Sequence, residues 1–199
     1  MNTSKKIVAA FGAGLLLLLT ACSNPNSAAT IGRTDIPTAT VQGSIDGLLK
    51  ERTKVDTAGM NLSTGSELTT NAIRFHVVSV LFDDIAAKIK MKITDAELAA
   101  RRKSIVGQIG SEQDLGPALV SAQIAEKDFP RYLRTVLIAE KLGDALKAQG
   151  DESTDGSGIQ KLIVAMAKEE KVNLNPRYGV WDYENANIVP APDNSAIKK

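Results

Sequence analysis

An apolar run near the amino terminus most limits what this chain can fold into. Lys5 and Lys6 precede 13 consecutive apolar or glycine residues, from Ile7 to Leu19. A charged start, an apolar run and then small residues are typical of a secretory signal. The run is shorter than the roughly 20 residues that span a bilayer. A cleaved signal is therefore favoured over its alternative, an uncleaved transmembrane anchor.

Cys22, the single cysteine of the chain, follows Leu19-Thr20-Ala21 directly. A cysteine in this place resembles the signal of bacterial lipoproteins; a plain signal peptide is the alternative. The resemblance implies cleavage between Ala21 and Cys22, removal of residues 1–21, and a diacylglycerol on the Cys22 thiol. The protein would then be lipid-anchored at the extracytoplasmic face of the cell membrane. Residues 22–28 would form a polar tether, whose six residues after the cysteine reach at most about 20 Å.

The 178 residues left after this cleavage are enough for one domain with its own core. They hold 22 basic and 23 acidic residues, since the signal takes two of the 24 basic residues and no acidic one. This balance gives no electrostatic support for nucleic-acid binding. Few aromatic residues and abundant Ala, Leu, Ile and Lys favour a mainly α fold.

Hydrophobic periodicity predicts a multi-helix domain over residues 29–182. Residues 67–91 carry the widest apolar stripe, which is typical of a central helix that is contacted on more than one side. Thr94-Asp95-Ala96-Glu97 has the pattern of a capping box and predicts a helix start. Residues 150–158 are predicted to be a flexible acidic loop. The predicted helices are 37–54, 67–91, 94–110, 111–122 with an interruption at Gly116-Pro117, 127–148 and 159–171.

The ends of this domain are predicted to be extended. Two short pieces, 29–32 and 35–36, flank a possible tight turn, and residues 172–176 alternate like a strand that continues in extended form to Trp181. We expect a small β pairing between these N- and C-terminal segments. Residues 183–199 are rich in Asn, Pro, Ala and Asp and are predicted to be a flexible tail.

Four segments together carry a family resemblance. They are Ala29-Thr30-Ile31-Gly32 before the first helix, Thr94 to Leu98, the Leu- and Arg-rich stretch from Phe129 to Leu142, and the ending Asn175-Pro176-Arg177-Tyr178-Gly179-Val180-Trp181-Asp182. Their order over residues 29–182 resembles SurA-type chaperone modules, and the ending resembles actinobacterial SurA-domain proteins. The family-like C-terminal positions are Asn175, Pro176, Arg177, Tyr178, Gly179 and Trp181.

The resemblance implies a helical module that binds unfolded or nascent exported polypeptides. Relatives of the PrsA type often insert a parvulin-like prolyl isomerase domain before the last helix, which corresponds to residues 150–158 here. Nine residues cannot hold a catalytic domain, so we expect a chaperone, or holdase, with no isomerase activity and no cofactor. The alternative is a cell-envelope scaffold lipoprotein that binds one dedicated protein partner.

Residues that could carry other chemistry have simpler interpretations, and the sequence predicts no catalytic residue and no metal site. His76 is the single histidine, so a catalytic triad or zinc site would have to use it; we interpret it as a half-buried or surface helix residue. Asp83-Asp84 and Arg101-Arg102-Lys103 are predicted to be solvated, with lipid-headgroup contact as an alternative for the basic group. Tyr178 and Trp181 are expected to pack against the N-terminal extended pair, with client contact as the alternative.

Overall fold

The computed structural model describes residues 26–150 and 156–191. The predicted cleavage and lipid-attachment site at Ala21 and Cys22 lies outside the described residues. The fold is mainly α with small antiparallel sheets, as predicted. The helices are α1 Thr38–Arg52, α2 Gly65–Lys88, α3 Asp95–Ile109, α4 Glu112–Ser121, α5 Phe129–Ala148 and α6 Ser157–Glu169. The strands are β1 Ser27–Ile31, β2 Thr34–Pro37, β3 Asn173–Leu174, β4 Val180–Asp182 and β5 Asn187–Val189.

The predicted pairing of the two ends of the domain is present. β1 lies between β2 and β3 and pairs with both in antiparallel register, so that Ala29 is opposite Ile36 on one side and Leu174 on the other. Gly32 makes the turn between β1 and β2 with φ +54°, in the left-handed region that glycine adopts without strain. This sheet joins the start of the domain to the segment after α6.

Helix α2 is the centre of the main core. Ile73, Val77 and Leu81 recur at a spacing of four residues and are fully buried, which aligns them along one face. The helix packs against α1, α5, α6 and β1, so the prediction of a central helix is confirmed. The main core also includes Val41 and Leu48 from α1 and Met166 from α6.

A second, smaller hydrophobic cluster lies outside the main core. Its buried members come from α4 and the first half of α5, and half-buried side chains of α3 cover them. Helix α3 itself has no buried residue. We call this group the outer cluster, and its buried residues are Leu115, Leu119, Phe129 and Leu133.

The predicted capping box is present at the start of α3. The Thr94 hydroxyl accepts a hydrogen bond from the Glu97 backbone N–H at 3.3 Å, and the Glu97 carboxylate accepts one from the Thr94 backbone N–H at 2.8 Å. The predicted interruption of α4 is wrong, because the helix continues through Pro117. Pro117 removes only a bond to the carbonyl of Gln113, and both residues are exposed, so water can satisfy that oxygen.

Both ends of the domain extend further than predicted. Ser27 and Ala28, assigned to the tether, are buried in β1, where the Asn175 side chain donates to the Ser27 carbonyl at 3.0 Å. Residues 183–199 are not a loose tail throughout, since Asn187–Val189 pair with Val180–Asp182 and bury Ile188. The Asp182 carboxylate accepts from the Glu184 N–H at 2.8 Å and fixes the turn between these strands.

Candidate functional site

The candidate site is a cleft between α1, α2 and the chain from Ala122 to Tyr132. It encloses about 280 Å³. Its walls are mainly apolar, with a few polar groups at the edge. The apolar lining includes Ile45, Leu48, Leu68, Ala72, Phe75 and Ile124. The polar lining consists of Ser44, Asn71, Gln123, Asp128 and the hydroxyl-bearing ring of Tyr132.

Two glycines of α1 explain how the outer wall of the cleft comes so near that helix. A Cβ built on Gly47 would lie 3.6 Å from the Ala125 methyl carbon, and one on Gly43 would lie 2.9 Å from the Lys127 Nζ. A side chain larger than alanine at Gly47 would meet the Ala125 methyl group, whereas at Gly43 the end of the flexible Lys127 side chain can move aside. Glycine at position 47 therefore lets Ala125 pack close to α1, which offsets its weak helix propensity.

A polar network holds the rim of the cleft. Gln123 adopts φ +59°, a left-handed conformation that is uncommon for residues other than glycine. Its side-chain oxygen accepts from the Ser63 backbone N–H at 2.8 Å and from Arg52 at 3.4 Å. Arg52 also donates to the Ser63 carbonyl at 2.9 Å, and Asn71 donates to the Ser63 hydroxyl at 3.0 Å. These bonds join α1, α2 and the end of α4.

His76 lies behind this cleft and is buried, which corrects the prediction of a half-buried or surface histidine. Its Nε2 lies 2.9 Å from the hydroxyl of Ser44, which also donates to the Thr40 carbonyl at 3.2 Å. A hydroxyl has one proton to donate, and Ser44 donates it to the Thr40 carbonyl. The Nε2–H of neutral His76 therefore donates to the Ser44 oxygen. Burial lowers the pKa of His76, the Asp128 charge raises that pKa, and the charges of Arg131 and Lys127 lower it.

The Ser44–His76 pair joins two helices but lacks other parts of a hydrolytic site. Among the described residues, no carboxylate hydrogen-bonds to the imidazole, so no third group orients it as in a catalytic triad. Ser44 lies inside α1, where the backbone N–H groups around it are used by the helix and cannot form an oxyanion hole. We therefore assign the pair a structural role between α1 and α2.

The family-like C-terminal segment forms a separate structure, away from the cleft lining. The Asn175 backbone N–H donates to the Ala28 carbonyl at 2.9 Å, and its side chain accepts from the Arg177 N–H at 3.3 Å, which turns residues 176–178 into a single 3₁₀ turn. The predicted extended run to Trp181 is thus interrupted. The Arg177 guanidinium lies over the Tyr178 ring, 5.1 Å from its centre.

Gly179 and Trp181 have clear packing roles. Gly179 has φ +116°, and a Cβ there would lie 2.4 Å from the Val189 carbonyl oxygen, so only glycine fits. Trp181 is buried in the main core, while Tyr178 is half-buried against it. Trp181 belongs to β4, which lies beside β3, and β3 pairs with β1.

The charged groups singled out in the sequence lie outside the cleft. Asp83 accepts from the Arg134 Nε at 2.6 Å, on a half-exposed part of α2. For its neighbour Asp84, burial, followed by the nearby charges of Glu170 and Asp83, raises the pKa. Arg101 pairs with Glu140 at 2.5 Å, and Arg102 pairs with Glu112. Two members of the basic group therefore already have acidic partners.

Sequence reasoning missed the residues that shape the cleft. Ser44 and His76 are 32 positions apart, and Ser63 and Gln123 are 60 apart, so no local pattern links them. The single usable signal was the pair Gly43 and Gly47 on one side of an amphipathic helix. Two glycines four residues apart share one side of a helix and leave room for neighbouring side chains, here those of Lys127 and Ala125.

None of the helices within residues 26–150 and 156–191 has the length and apolarity needed to cross a bilayer. Within the same ranges, no three or more His, Cys, Asp or Glu side chains are grouped so that they could hold a metal ion. Comparison with known protein-family models, curated proteins and solved structures finds no match for this chain. The resemblance to SurA-type modules therefore stays a prediction.

Proposed function

We propose that this chain is a membrane-anchored, extracytoplasmic chaperone that holds unfolded or partly folded exported proteins, without isomerase activity. The cleft is the proposed binding site for apolar segments of these clients. Cys22 is the proposed point of lipid attachment. The single observation that carries the proposal is the apolar cleft between α1, α2 and the chain from Ala122 to Tyr132.

The size and lining of the cleft favour apolar side chains as ligands. Its volume of about 280 Å³ lies just below the roughly 300–1,000 Å³ of small-molecule sites. A few side chains of a client segment fit such a space better than a folded surface does. Phe75 and Ile124 are half-buried and line the cleft from opposite sides, so a bound side chain would contact both.

The outer wall of the cleft also suits varied clients. Ile124 and Tyr132 are half-buried and pack against the outer cluster, whose covering helix α3 has no buried residue. An apolar surface that can repack accommodates different partners more easily than fixed polar contacts do. A holdase needs this tolerance, because unfolded clients share apolar character and little else.

The alternative function is a cell-envelope scaffold lipoprotein with one dedicated partner. The observation that favours it is the hydrogen-bond network of Gln123, Ser63 and Arg52, which fixes one rim of the cleft. A fixed rim suits a partner of constant shape. The two functions differ in the number of partners, which crosslinking in intact membranes measures.

An aggregation assay tests the holdase function. Residues 23–199 are purified and mixed at near-stoichiometric ratio with several unrelated unfolded proteins. We expect slower aggregation, and we expect Phe75→Gln combined with Ile124→Gln to remove most of this effect. The matched control is Leu49→Gln combined with Ile89→Gln, at exposed apolar positions outside the cleft lining. Equal protection by both double variants would contradict binding in the cleft.

Substitution of Cys22 tests the proposed lipid anchor separately. Cys22→Ala should release the protein from membranes or leave its precursor uncut, because the thiol that receives the lipid is gone. Membrane fractionation and the mobility of the precursor report this outcome. Normal processing with unchanged membrane retention would count against the lipid anchor.

A further inference from the structure

Asp128 is the ionised side chain of the cleft. Within residues 26–150 and 156–191, no other Asp, Glu, Lys or Arg lines it. Asp128 occupies the N-cap position of α5, where an aspartate ordinarily accepts a hydrogen bond from the first turn, but this carboxylate makes no capping bond. It has neither an ion pair nor a hydrogen bond to any residue that the structure describes. The carboxylate is thus available to a ligand in the cleft.

Two cations lie near Asp128 without pairing with it. The charges of Lys127, Arg131 and Asp128 all act on His76, which places the three groups around that histidine. Neither cation forms an ion pair with the Asp128 carboxylate. Arg131 lies 3.9 Å from the Asp83 carboxylate instead, outside the cleft lining. These cations weaken the field of Asp128 but leave its oxygens without a bonded partner among the described residues.

Further carboxylates lie beside the same part of the cleft wall. The Glu51 carboxylate accepts a hydrogen bond from the Glu126 backbone N–H at 3.0 Å, and Glu126 directly follows Ala125, which lines the cleft. Neither Glu51 nor Glu126 forms an ion pair with a described residue. Together with Asp128, three acidic groups here face one unpaired cation, Lys127. This part of the cleft therefore attracts a cationic ligand.

The opposite end of the cleft presents a fixed amide, that of Gln123. Its side-chain oxygen accepts from the Ser63 backbone N–H at 2.8 Å and from the Arg52 guanidinium at 3.4 Å. Because a backbone N–H can only donate, the amide oxygen must face Ser63, and the NH₂ group points to the other side. Gln123 lines the cleft, and no described residue accepts from its NH₂. This donor matches a backbone carbonyl of a bound polypeptide.

The two polar ends are separated by the length of a short peptide segment. Ser44 of α1 is hydrogen-bonded to His76, which lies near Asp128, whereas Arg52 of the same helix is hydrogen-bonded to Gln123. The helix rises about 12 Å from position 44 to position 52. An extended chain rises about 3.3 Å per residue, so about three to four residues cover this distance. The apolar lining lies between the two ends.

We propose that the cleft binds extended client segments that carry a lysine or arginine beside apolar side chains, with the basic group on Asp128 and a backbone carbonyl on the Gln123 NH₂. This proposal rests on client binding in the cleft, the proposed function, and names the class of client. Apolar walls beside Asp128 lower the local dielectric constant, which strengthens its attraction for a cation. The Gln123 contact uses the backbone and is therefore the same for every client sequence.

A pair of fluorescent peptides tests this selection. The first is a short peptide in which leucine and phenylalanine lie beside one arginine, and the second has citrulline in place of arginine, which keeps the shape but carries no charge. Fluorescence anisotropy measures their binding to the full lipidated protein in phosphatidylcholine nanodiscs. We expect the unsubstituted protein to bind the arginine peptide about ten-fold more tightly than the citrulline peptide, because the ion pair with Asp128 is lost.

Substitutions at the two polar ends separate their roles. Asp128→Asn should remove the preference for arginine, whereas Asp128→Glu keeps the charge and should keep most of it. The matched control is Asp46→Asn, at an exposed carboxylate of α1 outside the cleft lining, which should leave the preference unchanged. Unchanged binding of the citrulline peptide shows that the Asp128 variants are folded. Gln123→Glu keeps an oxygen toward Ser63 but removes the donor, and should weaken binding of the citrulline peptide about three- to ten-fold.

Failure of this proposal can be told apart from failure of the proposed function. Equal affinity of the unsubstituted protein for the two peptides would indicate a purely apolar occupant and overturn the selection of basic clients. A preference for arginine that survives Asp128→Asn would overturn the role of Asp128. Both results leave client binding in the cleft intact. Binding of neither peptide by the unsubstituted protein would overturn the proposed function and, with it, this proposal.

Discussion

The main core and the outer cluster are held together in different ways. In the main core, Ile73, Val77 and Leu81 are fully buried between several elements. In the outer cluster, α3 has no buried residue; half-buried apolar side chains, its capping box and ion pairs at its surface hold it in place. These pairs are Glu97 with Lys141, Arg101 with Glu140, and Arg102 with Glu112.

This difference bears directly on the cleft. Exposed ion pairs contribute little to stability, so the outer cluster should open more easily than the main core. Ile45 and Leu68 on one side of the cleft belong to or adjoin the main core, while Ile124 and Tyr132 pack with the outer cluster. The second wall is mixed, because Ala125 belongs to the main core. Ile124 and Tyr132 are therefore the part of the cleft that we expect to yield to a ligand.

The largest expected effect comes from a matched pair of truncations. Ile73→Ala should lower the free energy of unfolding by about 2–5 kcal/mol, because it leaves a cavity in the main core. Ile105→Ala, on half-buried α3, should cost only about 1 kcal/mol. Equilibrium denaturation measures both. Equal losses would show that the two regions are packed alike.

A matched pair of glycines should give the next largest difference. Gly179→Ala should cost about 1–3 kcal/mol, because of its φ of +116° and the Val189 carbonyl beside it. Gly107→Ala on α3 meets no atom within 4 Å and should instead stabilise the fold by about 0.5–1 kcal/mol. Thermal melts of the two variants should shift in opposite directions; shifts in the same direction would contradict this account.

The effect of losing the helix cap at Thr94 should be confined to the outer cluster. Thr94→Ala removes the hydroxyl that accepts from the Glu97 N–H, at a cost of about 1 kcal/mol. Amide exchange should become faster in α3 and stay unchanged around Val77 in α2. Thr69→Ala, at a half-buried threonine of α2 that does not cap a helix, is the control. Uniformly faster exchange would indicate that the two regions open together.

A pH series should also separate the two regions. Burial keeps the pKa of His76 below 6.5, so the unfolded chain binds a proton first as the pH falls below 6.5. The free energy of unfolding should then decrease as the pH falls from 6.5 to the pKa that His76 has in the folded protein, and His76→Gln should remove this decrease.

Hydrogen bonds from Lys141, then Thr94, lower the pKa of Glu97 to about 2. Its contribution to α3 is therefore complete above about pH 4.5 and lost from there toward pH 2.

An NMR titration checks the prediction for His76. His76 is the single histidine of the chain, so its imidazole signals need no assignment against others. The folded protein should titrate below pH 6.5. A midpoint at or above 6.5 would contradict the effect of burial.

Local patterns predicted the helices well and the contacts between distant segments poorly. The stripe of α2 and the capping box at Thr94 depend on residues three or four positions apart, which the sequence displays directly. Ile188 in β5 was predicted to be flexible, because only pairing with Trp181 reveals its burial. The depth of His76 likewise depends on α1, whose approach no residue next to His76 indicates.

Photo-crosslinking from the cleft shows directly which polypeptides bind there. A photoreactive phenylalanine analogue replaces Phe75 in the cleft or, as control, Leu49 outside its lining, and crosslinked products are identified in intact membranes. We expect many different exported polypeptides to be crosslinked from position 75 and few from position 49. A single product from position 75 would contradict a general chaperone and favour the dedicated scaffold. Equal yields from both positions would contradict binding in the cleft.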